Sequence, residues 1–175
     1  MPSPTDAFGP WHEFYSLLGT ASATMIGLLF VAASVGSGAF SGDRPAPMRV
    51  FLTASVVNFS IVLASSLVVL APVPRWTCFG GMIAGGGMLG LGHCCLAWRD
   101  TLRDGLFARI DWEDRIWYIG LPIVGYLLLA GSGVTVALRL DAGRVALALS
   151  IGMLLAVGIH NAWDITVWSV TRRRD

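Results

Sequence analysis

The sequence is poor in charge and contains no lysine. Only 13% of its 175 residues are charged, and all twelve basic residues are arginine. Soluble domains carry about 25% charged residues, whereas here 55% of the residues are hydrophobic. The net charge of +1 leaves no basic excess to attract nucleic acid. We therefore expect neither a water-soluble domain nor a nucleic-acid partner.

The sequence also lacks a disulfide framework and the common catalytic motifs. There are three cysteines, and Cys94 and Cys95 are adjacent within an apolar run, so we expect reduced thiols. We find no phosphate-binding glycine loop and no HExxH zinc motif, and no GxSxG nucleophile motif. A water-facing catalytic site is therefore not expected, and we predict that the protein is not an enzyme.

Five long uncharged or nearly uncharged runs dominate the sequence. About 20 apolar residues are needed to cross a bilayer as a helix, and each run reaches that length. None shows the period-two alternation of a membrane β-barrel. The sequence therefore predicts a single all-α membrane domain over residues 1–175, a bundle of five transmembrane helices. The helices are predicted over about 12–39, 49–71, 76–98, 116–138 and 145–169.

The distribution of arginine predicts the orientation of the bundle. With five crossings, the amino terminus shares its side with Arg75, Arg139 and Arg144, and the other nine of the twelve arginines lie on the opposite side. Arginine accumulates in cytoplasmic segments. We therefore expect the amino terminus outside and the carboxyl terminus in the cytoplasm, in the cell membrane and, for a bacterium, the inner membrane.

The longest predicted loop, residues 99–115, lies on the cytoplasmic side. Its charges alternate in sign, and Leu102, Leu106, Phe107 and Ile110 recur at roughly helical spacing. This pattern is compatible with a segment lying on the membrane surface, and equally with a solvated extension of the third helix.

Small residues mark the faces through which membrane helices pack, because lipid supplies no hydrophobic force between helices. In the third helix, Gly81 precedes Gly85, and Gly86 precedes Gly90, by one helical turn. The first helix has Gly19, Ala23 and Gly27 at the same spacing, and the fifth has a stripe of Ala148, Gly152, Ala156, His160 and Asp164. Such faces serve packing within one chain or between chains. We expect a homo-oligomer in the lipid bilayer.

Three ionisable side chains fall inside the predicted helices. At 1.5 Å per residue, His93 lies about 9 Å, His160 about 6 Å and Asp164 about 12 Å from the middle of its run, toward the cytoplasm. His160 and Asp164 are four residues apart and share a helix face. Because ionisable residues in a bilayer usually face a bundle interior or a water-filled cavity, we expect one polar layer, with Asn58 and Asn161 adding hydrogen bonds.

This polar layer has three interpretations. It is a structural hydrogen-bond cluster between helices, or a proton or cation relay, since histidine titrates near neutral pH. The third interpretation is a metal or haem site, with His93 and His160 as ligands and Asp164 orienting one imidazole without binding the metal itself. A second, weaker polar site is formed by His12 and Glu13 at the outer mouth of the first helix, where interfacial polarity beside Trp11 and Phe14 is the simpler interpretation.

Three functional hypotheses follow. The leading one is a small homo-oligomeric channel or transporter for ions or protons, whose path is lined by residues such as Thr20, Thr24, Ser55 and Asn58 and passes the polar layer. The second is a membrane redox protein that holds haem or a metal ion between the third and fifth helices. The third is a non-catalytic membrane partner or sensor subunit that acts through residues 99–115 and the arginine tail 172–174.

Overall fold

A computed structural model describes residues 3–39, 46–103 and 116–171. Within these ranges the long elements are five α-helices, and no strand is present. Five segments of 18 or more residues are long and apolar enough to cross a membrane, and each overlaps one of these helices. The predicted all-α membrane fold is therefore confirmed, and the chain has the architecture of a multi-pass membrane protein. The helices are α1 (His12–Ala39), α2 (Ala46–Leu70), α3 (Trp76–Arg103), α4 (Leu121–Ala137) and α5 (Ala142–Thr171).

The observed bounds differ from the predicted ones mainly at α3. This helix continues to Arg103, so the first part of the predicted loop 99–115 is helical, as the interpretation of an extended third helix requires. The rest of that loop, and the tail 172–174, lie outside the described residues. Helix α4 is preceded by a single π-helical turn, Ile116–Gly120, where the sequence predicted an uninterrupted α-helix.

Helices α2 to α5 form a four-helix unit, and α1 packs against its side. The packing pairs among the described residues are α2 with α3, α3 with α4, α4 with α5, and α5 with α2. Helix α1 packs on α2 and, to a smaller extent, on α5. Helices α2 and α4 therefore stand at opposite corners of the four-helix unit, as do α3 and α5. We call the end at which α1, α3 and α5 begin the N-terminal end, and the other the C-terminal end.

The N-terminal end is covered by the residues that precede α1. A short helix, Pro4–Phe8, is capped by Ser3 and Asp6, each side chain receiving the other's backbone N–H. This helix places Phe8, which is 2% exposed, against the ring of Phe79 on α3, with the ring centres 5.1 Å apart. Phe8 also meets Tyr15 of α1 edge to face at 6.1 Å. The N-terminal segment thus forms an aromatic cap, Phe8, Tyr15 and Phe79, on the bundle.

The closest approach of two helices is that of α3 and α4. A Cβ atom added to Gly133 would overlap the backbone of Ala84, and one added to Gly80 would overlap the carbonyl oxygen of Gly133. At Gly87 an added Cβ would lie 2.5 Å from the backbone nitrogen of Ala130. Backbones that approach this closely gain dispersion contacts, which drive helix association in a bilayer. Glycine at these positions therefore holds the two helices together.

A tight turn joins α4 to α5 and makes them antiparallel neighbours. Leu140 N–H donates to the Thr135 carbonyl, and Arg139 N–H to the Val136 carbonyl, which is the Schellman arrangement at a helix end. Arg139 occupies the left-handed position with φ of 61°, where glycine is the usual residue. The turn is therefore closed by backbone hydrogen bonds.

Replacing Gly133 by alanine should destabilise the bundle, because the added methyl group would have to push α3 and α4 apart. Overpacking of this kind costs about 1–3 kcal/mol, measured as the free energy of unfolding in detergent. The matched control is Gly131→Ala in the same helix, where an added Cβ meets no atom within 4 Å. Equal stability of the two variants would contradict the close approach.

Candidate functional site

A hydrogen bond crosses the interior of the four-helix unit. The Tyr126 hydroxyl on α4 donates to the Asn58 side-chain oxygen on α2, and the two residues are 0% and 3% exposed. Because α2 and α4 stand at opposite corners, this bond joins two helices that are not neighbours. It is therefore at the centre of the bundle and ties both diagonal helices to one point.

Glycine on α3 makes room for this tyrosine. A Cβ atom added to Gly90 would lie 2.2 Å from two ring carbons of Tyr126, so a larger residue at position 90 would displace the ring. Gly90 was predicted to mark a packing face, and here that face receives an aromatic side chain. Tyr126 itself was not among the predicted site residues. The sequence feature that could have identified Tyr126 is a tyrosine inside an apolar run, because a buried tyrosine hydroxyl usually needs a hydrogen-bond partner.

Two further polar atoms are buried in the same part of the bundle. Asn161 on α5 is 1% exposed, and neither its side-chain oxygen nor the buried Nε2 atom of His93 has a hydrogen-bond partner among the described residues. Unsatisfied buried groups of this kind cost about 1–3 kcal/mol each. The Asn161 and His93 atoms are two of the five buried side-chain atoms without a partner among the described residues, the others being the hydroxyl oxygens of Tyr15, Ser22 and Ser66.

Contacts between neighbouring helices place the His93 and Asn161 atoms at about the same position along the bundle axis as Asn58. Gly86 of α3 lies against Ser65 of α2, and His93 and Asn58 are each seven residues farther toward the C-terminal end. On α5, Gly158 lies against the ring of Phe59. Phe59 is one residue from Asn58, and Gly158 is three residues from Asn161. At 1.5 Å per residue these side chains fall within about one helical turn of each other. The structure thus has a central polar layer, defined as Asn58, His93, Tyr126 and Asn161.

His160 and Asp164 form a separate group, which we call the rim cluster, with Trp117 and Tyr118. His160 Nε2 lies 3.2 Å from Asp164 Oδ2, and each of the two side chains is 34% exposed. The Tyr118 hydroxyl donates to the same carboxylate oxygen at 3.0 Å. The Trp117 ring stacks on the His160 ring with centres 3.9 Å apart. The carboxylate is therefore held by two side chains and remains accessible from outside the bundle.

Pro122 explains how Trp117 and Tyr118 reach α5. Proline has no N–H to donate to the carbonyl four residues earlier, and its ring clashes with that carbonyl, which here belongs to Tyr118. The wider π turn at Ile116–Gly120 precedes the proline, and such turns are frequent at functional sites. The local sequence therefore alters the helix at the point where two aromatic residues contact the His160 and Asp164 side chains.

The predicted single layer is thus divided into two groups. Asn58, Tyr126 and Asn161 are buried and the Nε2 atom of the partly buried His93 is enclosed, whereas the side chains of His160 and Asp164 are each 34% exposed. His160 and Asn161 are adjacent on α5, so their side chains point about 100° apart. Counting along the sequence gives the depth of each residue along its helix, but not the direction in which its side chain points around the helix axis. The core face of α5 is the one bearing Leu147, Ile151 and Leu154. In the predicted small-residue stripe, Ala148 is buried, Gly152 is partly buried and Ala156 is exposed.

The two predicted metal or haem ligands differ in their surroundings. His93 Nε2 is buried, whereas His160 Nε2 is directed at Asp164 and its side chain is 34% exposed. Among the described residues, no group of three histidine, cysteine, aspartate or glutamate side chains is placed to hold a metal ion. The three cysteines are free thiols. We therefore do not carry the redox hypothesis further.

The remaining predicted residues are placed as follows. His12 and Glu13 are exposed at the start of α1, apart from both polar groups. Thr20 and Thr24 are exposed on α1, where each hydroxyl donates to the carbonyl four residues earlier. Ser55, in contrast, is fully buried and on the same helix as Asn58. The four residues predicted to line one path therefore do not share a surface within one chain.

Comparison of the chain with models of known protein families, with curated proteins and with solved structures finds no match. The functional argument therefore rests on the geometry of the two polar groups.

The central hydrogen bond should contribute measurably to stability. Tyr126→Phe leaves the Asn58 oxygen without its donor, and we expect it to lower the free energy of unfolding in detergent by about 1–2 kcal/mol. The matched control is Tyr15→Phe, since Tyr15 is equally buried and its hydroxyl has no partner among the described residues. Tyr15→Phe should leave stability unchanged or raise it.

A double variant separates the hydrogen bond from packing. When Asn58→Leu is added to Tyr126→Phe, no polar atom remains at this point, so the combined loss should be smaller than the sum of the two single losses. Strictly additive losses would show that the two side chains do not interact.

Proposed function

We propose that this protein is a small homo-oligomeric channel or transporter for ions or protons, in which the path runs through the four-helix unit. The observation that carries the proposal is the central polar layer. Polar side chains inside a bilayer are costly and mark substrate and ion pathways. The rim cluster then supplies a titratable group where the path meets the solvent.

Buried hydroxyl and amide groups continue beyond the central layer in both directions. They are contributed by three helices of the four-helix unit, and none is more than 4% exposed. We propose that these side chains line a path inside the bundle, which the exposed threonines of α1 do not. The Ser132 and Ser150 hydroxyls also donate to carbonyl oxygens of their own helices. The residues are Ser55, Ser65, Ser66, Ser132 and Ser150, together with Asn58 and Asn161 of the layer itself.

The two ends of the proposed path through the four-helix unit differ. At the C-terminal end, the Asp164 carboxylate is about one-third exposed and is available to exchange a proton or to attract a cation. At the N-terminal end, the aromatic cap of Phe8, Tyr15 and Phe79 buries all three rings. The described conformation is therefore closed at one end, and we propose that transport requires the N-terminal segment to move.

The outer surface of the bundle supports self-association. Gly81, Gly85 and Gly92 lie on the exposed side of α3, and a Cβ atom added to any of them would meet no atom within 4 Å. Such a face lets a second helix approach closely. We propose that a second copy of the chain packs there, and that the assembly lies in the cell membrane with the C-terminal end of the bundle in the cytoplasm.

The proposed orientation can be tested by labelling cysteines with a membrane-impermeant maleimide on intact cells. In a variant without native cysteines, a cysteine replacing Asp141, which is exposed in the turn between α4 and α5, should react. A cysteine replacing Arg173 in the tail should react only after the cells are opened. The reverse pattern would show that the orientation is inverted.

Transport itself can be tested with the purified protein in liposomes containing a pH-sensitive dye or a cation indicator. We expect flux above that of empty liposomes and a loss of at least about tenfold in the variant His160→Ala/Asp164→Asn, because the exchange group is then removed. The control is Thr24→Val, which alters an exposed hydroxyl outside the proposed path.

The outcomes of this experiment are distinct. Flux that is unchanged in the double variant would exclude the rim cluster, and flux that falls in Thr24→Val would place the path on the outer face of α1. No flux in any sample, with an oligomer mass confirmed on the same preparation, would contradict the proposed class.

A further inference from the structure

We infer that the transported species is the proton, and that it passes the central polar layer on a water molecule bound by the Asn161 side-chain oxygen. This inference rests on the proposed function, because it names the substrate of that path. Three features of the described residues carry it: an unpartnered buried acceptor, the small number of oxygen atoms in the layer, and the nearby carboxylate of Asp164.

Asn161 is the acceptor that needs a donor. Its side chain is 1% exposed, and its oxygen has no hydrogen-bond partner among the described residues. Buried polar groups without a protein partner are typically satisfied by internal water, which makes about three hydrogen bonds. His93 Nε2, which lies in the same layer and is also without a described partner, is a second group that such water satisfies.

The donor set of the layer suits water and not a dehydrated metal cation. Hard cations in proteins require about six or more oxygen ligands. The four residues of the central layer have three side-chain oxygens in total, on Asn58, Tyr126 and Asn161, and those of Asn58 and Tyr126 are already joined to each other. No carboxylate belongs to the layer. A cation would therefore find few side-chain oxygens in this layer to replace its hydration shell, whereas a proton needs only one water molecule.

The proton then has a defined acceptor. Asp164 is three residues from Asn161 on α5, about 4.5 Å along the helix axis. A proton that arrives on the bound water leaves as a different proton of the same molecule, so the water is restored after each transfer. The Asp164 carboxylate takes up that proton as a neutral acid and releases it to the solvent, which regenerates the carboxylate. Asn161 remains neutral throughout, because a carboxamide does not titrate near neutral pH.

The substrate is tested by comparing fluxes in liposomes loaded for proton, sodium or potassium transport. We expect proton flux without sodium or potassium flux. Asn161→Leu should reduce proton flux at least about tenfold, since it removes the acceptor and fills its space. Asn161→Ser should retain part of the flux, because its hydroxyl and the vacated volume still hold water. Ala156→Leu, which adds the same apolar bulk on an exposed face of α5, should leave the flux unchanged.

The bound water is tested separately and on the unaltered protein. The chain has only two asparagines, Asn58 and Asn161, so protein labelled with ¹⁵N-asparagine gives two side-chain amide signals in solid-state NMR, and Asn161→Leu identifies one of them. We expect a cross-peak between water protons and the Asn161 amide. Absence of that cross-peak would overturn the bound water whatever the flux results.

The two proposals fail in different ways. Sodium or potassium flux comparable with proton flux would overturn the proton inference and leave the transport function intact. Absence of all flux, together with a water cross-peak at Asn161, would overturn the transport function and its substrate but leave the water site.

Discussion

The fold depends on one constraint, which is that a polar side chain inside the bilayer is costly unless it is hydrogen-bonded. Asn58 meets this requirement by accepting a hydrogen bond from Tyr126 on the helix at the opposite corner. The ring that delivers the hydroxyl has space only because residue 90 is glycine. One hydrogen bond therefore fixes the mutual positions of α2, α3 and α4, and α5 closes the unit around it.

The local sequence determines where each helix can approach the hydrogen bond between Tyr126 and Asn58. Glycines at positions 80, 87 and 133 allow the backbones of α3 and α4 to touch, which brings Tyr126 within reach of the interior. Pro122 follows a π turn that directs Trp117 and Tyr118 toward α5. The same helix, α4, thus serves both the buried layer and the exposed rim cluster, and this shared origin is why we treat the two groups as parts of one path.

The number and approximate limits of the helices follow from the sequence, because length and lack of charge are sufficient to define a bilayer span. Depth follows by counting, which placed His93, His160 and Asp164 in one layer. The rotation of each helix about its own axis does not follow from the sequence, because these helices are apolar around most of their circumference. No polar face indicates which side of a helix is inward. His160 and Asn161 are one residue apart and at the same depth, yet only Asn161 faces the interior. Tyr126 was missed for the same reason, and the hypothesis of His93 and His160 as two ligands of one metal or haem stays a prediction.

The central claim is that Tyr126 and Asn58 meet across the four-helix unit, and a distance measurement between their side chains tests it most directly. The chain contains three tyrosines and two asparagines, so protein labelled with ¹³C only in these residue types gives few tyrosine–asparagine cross-peaks in solid-state NMR of bilayer samples. The account predicts a cross-peak between the Tyr126 ring and the Asn58 side chain that disappears in Tyr126→Phe through loss of the labelled residue. A spectrum in which Asn58 has no tyrosine neighbour would contradict the account, because the bundle would then lack the contact on which the polar layer is built.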